Sequence, residues 1–121
     1  MITAKYFNES EFKACTPKCS LQNMNQRTID KLDRARELAG IPFVLKSAYR
    51  SVSYERSKGR TGTSAHTTGH AVDIRCNTSA NRMKIVQACL QVGFRRIGIG
   101  KTYVHVDDDF NHAQNVMWHY Y

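Results

Sequence analysis

Ser64-Ala65-His66-Thr67-Thr68-Gly69-His70-Ala71-Val72-Asp73 is the stretch that decides how this 121-residue chain is read. Gly69 lets the backbone reverse tightly after His66, and residues 71–75 then alternate as a short strand. On that strand Asp73 shares a face with Ala71 and Arg75. A second strand is read over residues 103–107, with His105 and Asp107 on one face and Val104 and Val106 on the other. Laid side by side, the two strands bring Asp73, His105 and Asp107 together.

Imidazole nitrogen and carboxylate oxygen are ligands that zinc takes readily, and a catalytic zinc keeps three protein ligands and one open position. His66, Asp73 and His105 supply such a set. Zn2+ is therefore the expected cofactor.

Outward from this stretch, Ile29, Leu32, Ala35, Leu38 and Ala39 repeat at helical spacing, which predicts a helix over residues 25–39 with Asp30, Lys31, Asp33, Arg34 and Glu37 outside. Gly40 and Pro42 end it. Residues 43–49 read as a strand that delivers Arg50 to its end, residues 51–58 as a short helix and residues 59–63 as a mobile loop. Past the motif strand, residues 77–80 read as a polar turn. Met83, Ile85, Val86, Ala88, Cys89, Leu90 and Val92 then give a second main helix with a broad buried face, closed by Gly93. Residues 94–100 form a strand and turn, joined by a hairpin to residues 103–107. Near the start, Asn8 and Glu11 make a capping box, with Phe7 and Phe12 pinning that turn to the core. Two main helices, about four strands and no repeat predict an α+β fold with a small antiparallel sheet.

A chain of this length makes one domain, residues 1–121. Four cysteines, unevenly placed, read as reduced thiols, and Cys15 and Cys19 as loop thiols without the further ligands a structural metal needs. The amino terminus has no basic segment followed by an apolar core, and nothing approaches the ~20 apolar residues of a membrane span. The expectation is a soluble monomer made in the cytoplasm. A formal charge of +8 implies attraction to anionic surfaces. The basic residues are scattered, however, with no helix-turn-helix, zinc-finger or aromatic RNA-binding signature, so no nucleic-acid partner is expected.

With these residues in view, the chain resembles the zinc D-Ala-D-Ala carboxypeptidase and endopeptidase family, relatives of the peptidases that share the hedgehog fold. The family pattern Ser-x-His-x-x-Gly-x-Ala-x-Asp is met in full from Ser64 to Asp73, and the later His-x-Asp at His105 and Asp107. Upstream, Ser47-Ala48-Tyr49-Arg50-Ser51 is similar to the family's Ser-Gly-Tyr-Arg-Ser, with Ala48 for Gly and, just after, Val52 for Pro. The likeness runs through nearly the whole chain to Trp118 and is greatest to small phage and bacterial members.

That resemblance implies a metallopeptidase that hydrolyses peptide bonds of bacterial peptidoglycan, with His66, Asp73 and His105 on zinc and stem peptides as its partner. It also implies that Arg50 stabilises the oxyanion or grips a substrate carboxylate, and that Ser64 and Tyr49 contact substrate. Many relatives carry a carboxylate base three residues before the last zinc histidine, where this chain has Thr102. Asp107 is the substitute, either as the base or as a carboxylate that orients a ligand histidine. Glu55 is a weaker candidate, since close members carry Asn there. A Trp-His ending in other branches would make His119 the third ligand, but it leaves Asp107 without a role. His70, His112 and His119 are accordingly read as ordinary polar residues.

Two further readings compete. In one, the zinc site serves binding of wall or another anionic polymer without catalysis; in the other, a basic domain binds nucleic acid. Without a secretion signal, an enzyme of this kind reaches the wall after lysis or by assisted export, which favours a phage lysis role.

Overall fold

The computed structural model describes residues 1–121. The capping box forms as expected: Asn8 accepts from the Glu11 amide, Glu11 accepts from the Asn8 amide, and α1 (Glu9–Lys13) follows. Phe7 and Phe12 are both buried. The first long helix, α2 (Gln26–Ala39), starts at an Asn25 cap and ends at Gly40 in the left-handed region, φ 70°. Its inner face is narrower than the apolar spacing implies. Leu38 is exposed, whereas Asp33, placed outside by the sequence reading, is buried and accepts from the amides of Lys5 and Tyr6. The amino-terminal segment lies over that flank and hydrogen-bonds the carboxylate, which no periodicity argument contains.

The strand expected over residues 43–49 narrows to β1 (Leu45–Ser47), whose pairing with β2 (Ala71–Arg75) is interrupted by an irregularity between Leu45 and Ser47. Between them lies the short helix α3 (Val52–Ser57), capped by Ser51. The polar turn expected over residues 77–80 is shorter, because Thr78 accepts from the Asn81 amide and α4 (Ser79–Val92) begins at once. α4 buries Ile85, Ala88, Cys89 and Val92, while Met83 and Leu90 remain exposed. The hairpin of β3 (Arg96–Ile99) and β4 (Tyr103–Asp107) forms as predicted.

A fifth strand, β5 (Val116–His119), completes a sheet of order β1-β2-β4-β3-β5. The first four strands pair antiparallel, and β5 lies parallel to β3. The reason is connectivity. β4 ends beside Arg96, both edges of β4 are taken, and the chain must round the start of β3 to reach its free edge, which leaves only the parallel direction. Asn115 takes φ 61° at that corner, a conformation asparagine tolerates better than most residues.

The two faces of the sheet do different things. Val72, Ile74, Ile97, Val104 and Val106 are buried in one apolar core with residues of α2 and α4, which pack on each other. The opposite face carries Asp73, His105 and Asp107 and is turned away from that core. No helix is long and apolar enough to cross a membrane.

Candidate active site

Register puts the site together. Asp73 stands opposite His105, and Ala71 opposite Asp107, on neighbouring antiparallel strands. Directly opposed residues share a face, so Asp73, His105 and Asp107 converge as the sequence predicts. His66 arrives from a 3-10 turn (Ala65–Thr68) that ends at Gly69, φ 76°. A Cβ at residue 69 would overlap the Asn23 carbonyl oxygen, and the Gly69 carbonyl accepts from the Asn25 amide at 2.9 Å. The glycine therefore locks the His66 turn against the start of α2.

Both histidines are buried and each has one nitrogen engaged by a pure acceptor. Nδ1 of His66 donates to the Ala48 carbonyl, which leaves Nε2 facing Asp73 Oδ1 at 3.4 Å. Nε2 of His105 donates to Asp107 Oδ2 at 2.7 Å, and its Nδ1 lies 3.0 Å from Asp73 Oδ1. One ligand atom from each of His66, Asp73 and His105 falls within 4.8 Å of the others. Metal–ligand bonds of 2.0–2.1 Å at a tetrahedral angle place donor atoms about 3.3 Å apart, so these separations suit a zinc-sized cation. The donor set fits the group that the sequence implies.

Charge in the site is arranged around that cluster. Burial alone would raise the Asp73 carboxyl, but hydrogen bonds from His105 and His66 outweigh it and hold the group well below the usual carboxylate range. His105 moves upward: burial opposes its charge, and the bonds to Asp107 and Asp73 prevail. Asp107 is held low against burial by His105 and Arg96. Arg96 Nε lies 2.9 Å from Asp107 Oδ1, and the Asp109 amide donates to the same oxygen.

Arg50 stands at the opposite side of Asp73. Its three nitrogens reach Asp73 Oδ2 at 3.1 Å, Ser47 Oγ at 3.0 Å and Glu55 Oε2 at 3.4 Å. Ser64 donates to Glu55 Oε1, and Arg60 lies 3.1 Å from Glu55 Oε2. Burial opposes ionisation of Glu55, yet Ser64, Arg50 and Arg60 together hold its carboxyl low. Glu55 thus works as a buried anchor for its neighbours. Tyr49 does not line the cavity, being packed against the apolar core. Thr102 offers its carbonyl to the Cys76 amide, and His119 is exposed on β5, away from the cluster.

Over these groups lies an open cavity of about 390 Å³ whose remaining wall includes Arg96, Tyr103, His112, Trp118 and Tyr120. Trp118 stands opposite Gly98, where a Cβ would come within 2.8 Å of the indole Nε1, and its ring centroid is 5.5 Å from that of His105. Arg96 and Tyr103 were within reach of strand alternation, two residues before Gly98 and His105. Trp118 and Tyr120 depend on β5, for which the tail sequence carries no alternation strong enough to read.

No curated protein matches the chain. Among solved structures its fold is similar to that of the Serratia marcescens L-Ala D-Glu endopeptidase ChiX, with a TM-score of 0.56 and 20% identity over 74% of this chain and 84% of that one. The peptidase M15 family matches residues 5–107, a span that contains the His66 turn and both strands bearing Asp73 and His105, and the chain belongs to that family of peptidases.

Proposed function

We propose that residues 1–121 form a single zinc-dependent catalytic domain that hydrolyses peptide bonds of bacterial peptidoglycan, at D-Ala-D-Ala ends or in stem-peptide crosslinks. The observation that carries this reading is the convergence of His66 Nε2, Asp73 Oδ1 and His105 Nδ1 at the base of an open cavity, within a peptidase M15 chain. Zinc bound there would supply a Lewis acid for the peptide carbonyl and lower the pKa of water toward neutrality. The likeness to an L-Ala D-Glu endopeptidase fold favours stem peptides as substrate.

The chain's own residues complete the chemistry. Asp107 holds Nε2 of His105 at 2.7 Å, on the ring edge opposite the Nδ1 that faces the cluster, and so orients that ligand. Arg50 holds Asp73 through Oδ2, keeping Oδ1 toward the histidines, and brings a permanent positive charge beside the carbonyl oxygen where negative charge develops. Ser64 and Glu55 fix Arg50 from behind. Trp118, Tyr103 and Tyr120 give the peptide an apolar wall.

The enclosure of Asp107 supports that orienting role. Its side chain is 1% exposed and already accepts from His105, Arg96 and the Asp109 amide, which suits a carboxylate that orients a ligand imidazole.

The test is metal analysis together with mass spectrometry of purified peptidoglycan after digestion. One equivalent of zinc is expected, with new peptide fragments that vanish with chelator and return on adding zinc. One equivalent of zinc without any fragment would instead favour a module that binds the wall without cutting it.

A further inference from the structure

Three arginines line the cavity, and Arg60 is the most exposed of them and has the fewest protein partners. Arg50, 17% exposed, is engaged at all three nitrogens. Arg96 is 15% exposed; it bonds Asp107 and the Ala113 carbonyl, and its guanidinium lies 4.9 Å from the centre of the Trp118 ring. Arg60 is 51% exposed and makes a single side-chain contact, NH1 to Glu55 Oε2. A guanidinium carries five N–H donors in a planar fork, so Arg60 lines the cavity with four donors free of protein partners.

Resting on the peptidase reading, we propose that Arg60 is a specificity residue that pairs with a free carboxylate on the peptide bound beside the His66, Asp73 and His105 cluster. Glu55 can release it without loss of satisfaction, because Arg50 and Ser64 continue to hold that buried carboxylate. The backbone stays put while the side chain changes partner. The Arg60 amide donates to the Glu55 carbonyl at 3.0 Å, and His112 Nε2 donates to the Thr63 carbonyl at 2.9 Å, which fastens both ends of the loop. Gly59 and Gly62, at φ 79° and 82°, supply the turns on either side. Without a cation the cavity balances three arginines against Glu55, Asp73 and Asp107. A divalent ion then makes it a positive site, which favours an anionic peptide. The carboxylate recognised is either the one at the peptide's end or one on a side chain.

A mutant cycle in protein and substrate decides this. Zinc-loaded wild type, Arg60→Ala, Arg60→Lys and the remote Arg34→Ala are compared on a stem peptide with free carboxylates and on two versions in which the terminal or the side-chain carboxylate is a carboxamide. Cleavage gives KM and kcat, and calorimetry gives affinity. For wild type, one of the two amidations weakens binding about tenfold to a hundredfold, the effect of losing a charge-assisted hydrogen bond, and identifies the carboxylate. Arg60→Ala weakens binding of the free peptide equally and no longer distinguishes it from that amide; Arg60→Lys recovers part of the discrimination, and Arg34→Ala moves nothing. If wild type binds all three peptides alike, or Arg60→Ala discriminates as wild type does, the proposal is wrong. Absence of cleavage with discrimination retained in binding would count against the peptidase reading alone.

Discussion

His105 sits between two carboxylates, and which of them it serves is a question a single side chain answers. With Nε2 donating to Asp107, Nδ1 is directed at Asp73 and thus at the position of the cation. Asparagine at residue 107 still offers an oxygen to that N–H but accepts no proton. If Asp107 is the base, Asp107→Asn keeps zinc and loses about 10²- to 10⁴-fold in kcat. Should it only orient His105, Asp107→Asn retains kcat, while Asp107→Ala loosens zinc by about tenfold to a hundredfold. Steady-state kinetics beside zinc competition against a chelator separates the two, and the bond to Nε2, on the ring edge away from the cation, makes the second the expected outcome. At this scale His66, Asp73, His105 and Asp107 were legible because strand alternation and ligand chemistry are local properties. The enclosure of Glu55 by Ser64, Arg50 and Arg60 was not, since it is made by a helix and a loop folding over each other.

Among the elements, β5 has the greatest effect on the cavity relative to its visibility in the sequence. It is four residues long, largely exposed and parallel to its only neighbour, yet it supplies Trp118. The helices and the β3–β4 hairpin were readable from period, cap and glycine stops. β5 was not, because its place is set by connectivity and by the bare backbone at Gly98. Gly98→Ala would push a methyl into the Trp118 and Tyr120 rings, each 2.8 Å away. We expect a loss of about 1–3 kcal/mol in unfolding free energy, as for overpacking elsewhere. Trp118 is the sole tryptophan, so a changed emission spectrum reports the displaced ring directly. Wild-type stability and emission in Gly98→Ala would contradict the close packing described.

For the molecule as a whole, the site ties folding to pH, with opposite sign in its metal-free and zinc-loaded forms. Asp73, Asp107 and Glu55 titrate below their ordinary range when folded, so their contribution is present above about pH 4 and is lost as pH falls. His105 titrates above its ordinary value, so its contribution is present below about pH 6.5 and is lost as pH rises through the folded value. Metal-free protein should therefore have its highest Tm between about pH 4 and pH 6.5. With excess zinc the histidines must be neutral to act as ligands, so the gain in Tm grows with pH toward neutrality. Thermal unfolding across that range, with and without chelator, checks both signs; a metal-free Tm that climbs steadily past pH 7 would contradict the pairing of His105 with Asp73 and Asp107. The sheet's opposed faces have one more consequence. Positions 72, 74, 104 and 106 carry the adhesion to the helices, whereas 73, 105 and 107 point into the cleft. A substitution at 73, 105 or 107 therefore changes the charge of the cleft while leaving in place the apolar contacts that hold sheet to helices.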